Sequence, residues 1–106
     1  MDDKKFIFKI LTEAEWIKFQ STGTFQGSNL DLKDGFIHAC YEEQVLSILE
    51  KYFSEISPVY LLKIDIVKAV ETNKIKEEWN SSRTEQFPHI YGVLLFDSVT
   101  SYEIIN

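Results

Sequence analysis

The sequence has few cysteines and no long apolar run, which are features of disulfide-bonded and membrane-spanning proteins. It has one cysteine, Cys40, so no intramolecular disulfide can form, which fits a reducing compartment. Its longest apolar runs, at 59–62 and 93–96, hold four residues each, whereas a helix that spans a bilayer needs about 20. The first five residues, MDDKK, open no apolar segment, so we expect no signal peptide. These absences favour a soluble cytoplasmic protein.

Basic residues are also scarce. Eleven Lys and Arg face 17 Asp and Glu, the net charge is −6, and Arg83 is the single arginine. Proteins that bind nucleic acids neutralise phosphates with Lys and Arg, and anionic membranes attract basic segments. We therefore expect no nucleic-acid partner and no membrane partner. A small-molecule partner is compatible with this composition, and the oligomeric state stays open.

The length and the apolar content indicate one domain over residues 1–106. The chain is 44% hydrophobic and 14% aromatic, which is enough to bury a core without metals or disulfides. Thr12 and Glu15 form a capping-box pattern that predicts a first helix ending before Gly23. Apolar residues at helical spacing predict a second helix over 42–53.

The remaining segments predict strands and one long loop. Alternating or continuous apolar residues predict strands at 5–11, 36–40, 59–66, 75–79, 93–96 and 101–105. Glycine and polar residues predict a loop over 21–35 and a turn at 97–98. Two helices with five or six strands in this order predict an α+β fold with a mostly antiparallel sheet.

Two histidines, His38 and His89, are the candidates for chemistry. They lie in the segments GFIH, residues 35–38, and FPHIYG, residues 87–92. Each could be a structural histidine bonded to nearby carbonyls, or the two could join Tyr91 in binding or protonating a small polar ligand. Because each segment combines an aromatic residue with glycine, we predict that both histidines line one cleft.

Metal and thiol chemistry fit the sequence poorly. His38, Cys40 and His89 lack the ligand spacing of zinc sites, so we expect no metal. The predicted helix start at Cys40 would lower the pKa of its thiol. We nevertheless favour a small buried side chain over a nucleophile. Lys9 shares a strand face with Ile7 and Leu11, so it either extends to the sheet edge or reaches into a cleft.

The two histidine segments resemble those of the domain-of-unknown-function family 952, small bacterial proteins sometimes labelled as glutathione S-transferase related. The similarity extends over nearly the whole chain and includes Trp16, Ser28, Leu30, Gln44, Val45 and the segment LLKID at 61–65. It implies an ADP-ribosylation-like fold. In that fold a split antiparallel sheet opens a cleft that holds NAD in ADP-ribosyltransferases and in RNA 2′-phosphotransferases.

The chain departs from the family pattern at two places. Lys9 stands where the family often has histidine, and Ala39-Cys40 stands where Cys-Ser is common. Lys9 cannot reproduce the directional hydrogen bonds of imidazole. We therefore expect NAD, the cofactor that the resemblance suggests, to bind weakly if at all.

The leading hypothesis is a small-ligand cleft, of nucleotide type by resemblance, in a transferase or hydrolase. The expected cleft residues are His38, His89, Tyr91, Lys9, Ser28, Trp16 and Glu78. Of these, the two histidines are the catalytic candidates. The alternative is a non-catalytic protein-interaction or structural module. An open pocket that holds both histidines would favour the first hypothesis, and buried, mutually satisfied histidines would favour the second.

Overall fold

Short strands and helices alternate along the chain. The computed structural model describes residues 4–106 and contains eight β-strands and four α-helices in that range. The strands are β1 (Phe6–Thr12), β2 (Thr24–Phe25), β3 (Ile37–His38), β4 (Val59–Asp65), β5 (Lys74–Trp79), β6 (Gln86–Tyr91), β7 (Leu94–Leu95) and β8 (Val99–Ile105). The helices are α1 (Glu13–Thr22), α2 (Asn29–Asp34), α3 (Val45–Tyr52) and α4 (Ile66–Ala69). This arrangement confirms the predicted α+β class.

Two three-stranded antiparallel sheets form the frame. One has the strand order β1-β4-β8, and the other has the order β3-β6-β5. Strands β2 and β7 form a separate antiparallel pair. The two larger sheets meet at an isolated bridge, where the Phe8 amide donates to the Cys40 carbonyl at 2.7 Å and the Cys40 amide donates to the Phe8 carbonyl at 2.8 Å.

Helix α1 forms where the capping box predicts it. The Thr12 hydroxyl accepts a hydrogen bond from the Glu15 amide, and the Glu15 carboxylate accepts one from the Thr12 amide at 2.9 Å. Gly23, with a φ of 79°, ends the helix in the left-handed region that glycine adopts easily. Trp16 and Phe19 on this helix are buried in the main core, which includes Leu11 of β1.

The expectation of a loop over 21–35 is wrong. The segment contains β2 and α2, and α2 begins at a second capping box. There, the Ser28 hydroxyl accepts from the Asp31 amide at 3.2 Å, and the Asp31 carboxylate accepts from the Ser28 amide at 2.8 Å. Gly35, with a φ of 85°, ends this helix. Gly23 and Gly35 thus mark the ends of two helices and do not belong to one long loop.

Other element boundaries also differ from the predictions. The predicted strand 36–40 is reduced to the two residues of β3, and the helix 42–53 begins as a 3₁₀ turn over Glu42–Gln44 before α3. The predicted turn at 97–98 belongs to a 3₁₀ helix, Phe96–Ser98. Strand β6 was not predicted as a strand, yet it is the central strand of its sheet.

Within residues 4–106, no helix combines the length and the apolar character that crossing a membrane requires.

Candidate functional site

A cleft with a volume of about 550 Å³ lies between the two larger sheets. Residues of β1, α2, β3, α3, β5 and β6 line it, so both sheets contribute. Pockets that hold small molecules typically measure about 300–1,000 Å³ and have mostly apolar walls with a few polar groups. The cleft has this size, and the polar groups in its wall include both histidines.

The structure brings several of the predicted site residues to this cleft. Lys9, Ser28, His38 and His89 line it. Glu78 and Tyr91 do not line it and instead form hydrogen bonds around His89.

Trp16 lies elsewhere. It is 3% exposed and packs in the core among the rings of Phe19, Tyr60, Phe96 and Tyr102. Trp16 is therefore a core residue, and the expectation that it contacts the cleft is wrong.

The two histidines are neighbours because their strands pair. His38 of β3 lies directly opposite His89 of β6, and the centroids of their rings are 5.7 Å apart. The Phe36 ring stacks on His89 at 3.9 Å and also contacts His38 at 4.6 Å. About fifty residues separate the histidines in sequence, so antiparallel pairing of the two motifs produces this pair.

Asp31 of α2 organises one wall of the cleft. Its Oδ1 accepts a hydrogen bond from the His38 amide at 3.0 Å and lies 2.7 Å from His38 Nδ1. Its Oδ2 accepts from the Ser28 amide at 2.8 Å and lies 3.1 Å from Lys9 Nζ. One buried carboxylate thus links β1, α2 and β3. Asp31 is not one of the cleft residues expected from the sequence, although the Ser28–Asp31 spacing is that of a capping box.

The charge of Asp31 is stabilised by its partners. Burial by itself would raise the pKa of the carboxyl, but the hydrogen bonds from His38 and the positive charge of Lys9 outweigh it and hold that pKa well below its usual range. Lys9 is 7% exposed, so it turns into the protein toward Asp31 rather than to the sheet edge.

The ring of His38 is held between two carboxylates. Its Nδ1 faces Asp31 and its Nε2 lies 3.0 Å from Asp34 Oδ2. The contact with Asp31 is a hydrogen bond of 2.7 Å, whereas the contact with Asp34 lies within ion-pair distance only. Both nitrogens of His38 therefore face a carboxylate of the protein.

Acid should destabilise the protein through Asp31. In the unfolded chain this carboxyl takes up a proton near pH ~4, whereas the lowered pKa keeps it ionised in the folded protein. Between about pH 5 and pH 3 the unfolded state binds the extra proton, so this carboxyl lowers the free energy of unfolding by about 1 kcal/mol over that range, and the loss continues at lower pH until the folded protein binds the proton too. Urea denaturation across this range measures it. Asp31→Asn should show a shallower dependence, and equal slopes in the two proteins would contradict the prediction.

A second carboxylate–histidine pair lies on β5 and β6. His89 Nδ1 is 2.8 Å from Glu78 Oε1, and the Tyr91 hydroxyl donates to the same oxygen at 2.6 Å. The bonds from Tyr91 and His89 lower the pKa of Glu78, and the bond to Glu78 raises the pKa of Tyr91. An ionised Glu78 orients the His89 ring with Nδ1–H toward it. This is how carboxylates orient catalytic histidines.

The second ring nitrogen of His89, Nε2, has no hydrogen-bond partner comparable to Glu78. Among residues 4–106, no side chain or backbone group forms a hydrogen bond with His89 Nε2. The residue is 5% exposed and lines the cleft. The two histidines therefore differ, because Nε2 of His38 lies beside the Asp34 carboxylate, whereas Nε2 of His89 has no such group beside it within residues 4–106.

The environment of Cys40 excludes a reactive thiolate at neutral pH. The residue is buried against Phe8 and Val45, and this burial raises the pKa of the thiol to about 12. The expectation that a helix start would lower this pKa is wrong, because desolvation is the larger effect. In the part of the chain that the structure describes, no three or more His, Cys, Asp or Glu side chains are grouped to hold a metal ion.

Comparisons with known proteins identify relatives without an assigned activity. The family described as "Protein of unknown function (DUF952)" matches residues 10–102. The crystal structure of protein CC0527 from Caulobacter crescentus, a structural genomics target, is similar at 35% identity and a TM-score of 0.85, over 95% of this chain and 86% of that one. The solution NMR structure of CC0527 is similar at 35% identity and a TM-score of 0.77, over 92% and 82% of the two chains. No curated protein matches.

Proposed function

We propose that this chain, which belongs to the DUF952 family of proteins of unknown function, binds a small molecule in the cleft between its two larger sheets. In this proposal His89 exchanges a hydrogen bond or a proton with the ligand through Nε2. His38, Asp31 and Lys9 form the charged wall that shapes the site.

The observation that carries the proposal is the Nε2 atom of His89, which has no hydrogen-bond partner within residues 4–106 on a residue that lines the cleft. The residue as a whole is 5% exposed, yet Nε2 itself is accessible to solvent. His89 is fixed by Glu78 on one side and faces the cleft with its other nitrogen. A bound molecule, or water in its absence, would supply the missing partner.

The same geometry favours a ligand site over a module that only contacts other proteins. For such a module we expected buried histidines that satisfy each other. Both ring nitrogens of His38 face carboxylates, those of Asp31 and Asp34, whereas Nε2 of His89 faces none, and both histidines line a cleft of small-molecule size. A water or hydroxyl group near Nε2 would meet a general base oriented by Glu78, which is the arrangement that hydrolases and transferases use.

A thermal-shift screen of metabolites tests the proposal with two variants of His89. A compound present at 100 times its Kd should add about 2.7 kcal/mol to the stability of the wild type. His89→Asn keeps an amide near the position of Nδ1 and removes Nε2, so it should weaken binding of a hit about tenfold or more. His89→Gln places an amide near the position of Nε2 and should recover part of the affinity.

A surface variant provides the control for this screen. Lys68→Ala alters an exposed residue outside the cleft and should leave the affinity for a hit unchanged. A broad panel without any stabilising compound would contradict the proposal, and so would hits that bind His89→Asn as tightly as the wild type.

A further inference from the structure

We propose that the cleft selects organic cations with N–H groups, such as amines and amidines, over phosphorylated and other anionic ligands. The inference rests on the proposed function of the cleft and names the chemical class of its ligand. It follows from three properties of the lining: its charge, its aromatic surface and the hydrogen-bonding state of His89.

Carboxylates outnumber lysines in the lining. The acidic residues of the cleft are Glu15, Asp31, Asp34 and Glu85, and its lysines are Lys9 and Lys51. Lys9 and Asp31 are paired with each other and buried together, so neither attracts a ligand strongly, and the three other carboxylates then face one lysine, Lys51. The whole chain also carries a net charge of −6. A cleft with this balance of charge attracts cations and repels anions.

The remaining surface of the cleft is rich in aromatic rings. Its aromatic residues other than histidine are Phe8, Phe36, Tyr52, Phe53, Trp79 and Phe87. Trp79 of β5 and Tyr52 of α3 are 47% and 62% exposed, although both are large and apolar. The faces of aromatic rings attract cations, and Trp does so most strongly. The Arg83 guanidinium already lies 6.0 Å from the centroid of the Trp79 ring, so a ligand would compete with it there or contact another ring of the lining. Rings combined with carboxylates therefore provide both the packing surface and the charge that an organic cation needs.

His89 adds a hydrogen-bond acceptor to this surface. A neutral imidazole that donates through Nδ1 to Glu78 presents a lone pair at Nε2. That lone pair accepts an N–H from an amine or amidine, but it cannot bond a phosphate oxygen unless the ring gains a proton. His89 is 5% exposed as a residue, so an N–H donor that reaches its Nε2 lies within the cleft.

Two backbone amides near the start of α2 are already occupied. At the start of α2, the Asp31 amide is bonded to the Ser28 hydroxyl, and the Ser28 amide is bonded to the Asp31 carboxylate. Phosphate sites in proteins commonly use such free amides at a helix start. Here a carboxylate of the protein takes that place, which supports the expectation that NAD binds weakly.

Three isosteric probes test the charge preference. Benzamidine, benzamide and benzoate share a planar ring and differ in charge, being cationic, neutral and anionic at neutral pH. Calorimetry or ligand-observed NMR should show benzamidine binding at least about tenfold more tightly than benzoate at low ionic strength, with benzamide between them. The difference should narrow at about 0.5 M salt, because salt screens charges at a partly open site.

A variant of one lining carboxylate tests whether the preference for cations arises in the cleft. Glu85→Gln removes one lining carboxylate with almost no change of shape, and the ratio of benzamidine to benzoate affinity should fall about twofold or more, an effect of under 1 kcal/mol. Equal or tighter binding of benzoate, or binding of none of the three probes, would overturn the inference. Equal affinities that all weaken in His89→Asn would overturn the charge preference while supporting the proposed site. If no probe binds, the metabolite panel decides separately whether the proposed site stands.

Discussion

Replacement of Lys9 by methionine is expected to destabilise the protein by about 3–5 kcal/mol. Methionine has a similar length and fills the same space, but it leaves the buried Asp31 carboxylate without its ammonium partner. His38 still contacts Asp31 and limits the loss. Urea denaturation at neutral pH measures the free energy of unfolding of the variant and of the wild type.

Two controls separate burial from charge in this prediction. Lys4→Met breaks an exposed pair, in which Lys4 Nζ lies 2.8 Å from Glu43 Oε1, and should cost less than about 1 kcal/mol. The double variant Lys9→Met/Asp31→Asn should be more stable than Lys9→Met alone, since no charge is left unpaired. A loss below about 1 kcal/mol for Lys9→Met would show that the ammonium group does not stabilise Asp31.

The second large effect is expected at Trp16. Its indole is packed against Tyr60 at 5.6 Å and against Tyr102 at 4.7 Å between ring centroids, and it is almost fully buried. Trp16→Ala should therefore cost about 3–5 kcal/mol, because it removes apolar contacts and leaves a cavity. Calorimetric or urea unfolding measures this loss, and Trp16→Phe should recover much of it.

Ligand binding distinguishes the core role of Trp16 from a role in the site. Trp16→Phe should bind a screening hit with the affinity of the wild type, because Trp16 lies outside the cleft lining. A loss of affinity in a folded Trp16→Phe protein would restore the expectation that this residue contacts the ligand. Unchanged stability in Trp16→Ala would contradict its placement in the core.

Patterns of neighbouring residues correctly predict those helices and strands whose ends are set by interactions within a few residues. The Thr12–Glu15 capping box and Gly23 place both ends of α1 correctly because all of its bonds form within a few residues. The prediction that His38 and His89 line one cleft rests on two motifs of similar composition. The pairing of their strands lies beyond that prediction, because the pairing of distant strands has no local signature.

Two different physical reasons hide Asp31 and β6 from a reading of the sequence. Asp31 appears in sequence as one charged residue among many in a glycine-rich segment, and its role arises from Lys9 and His38, which lie far from it along the chain. In β6, Pro88 argues against a central strand because it lacks an N–H group. The structure accommodates it between β3 and β5, and its carbonyl accepts the Ala39 amide at 3.2 Å.

The bridge between Phe8 and Cys40 is one of two connections that hold the larger sheets together beside the cleft. Two backbone hydrogen bonds, of 2.7 Å and 2.8 Å, join the sheets at this point, and both residues line the cleft. Side chains of both sheets, among them Ile64 from one and Ile90 from the other, also pack in a common core. The walls of the cleft are therefore fixed by the fold itself, and a ligand meets His38 and His89 already side by side on paired strands.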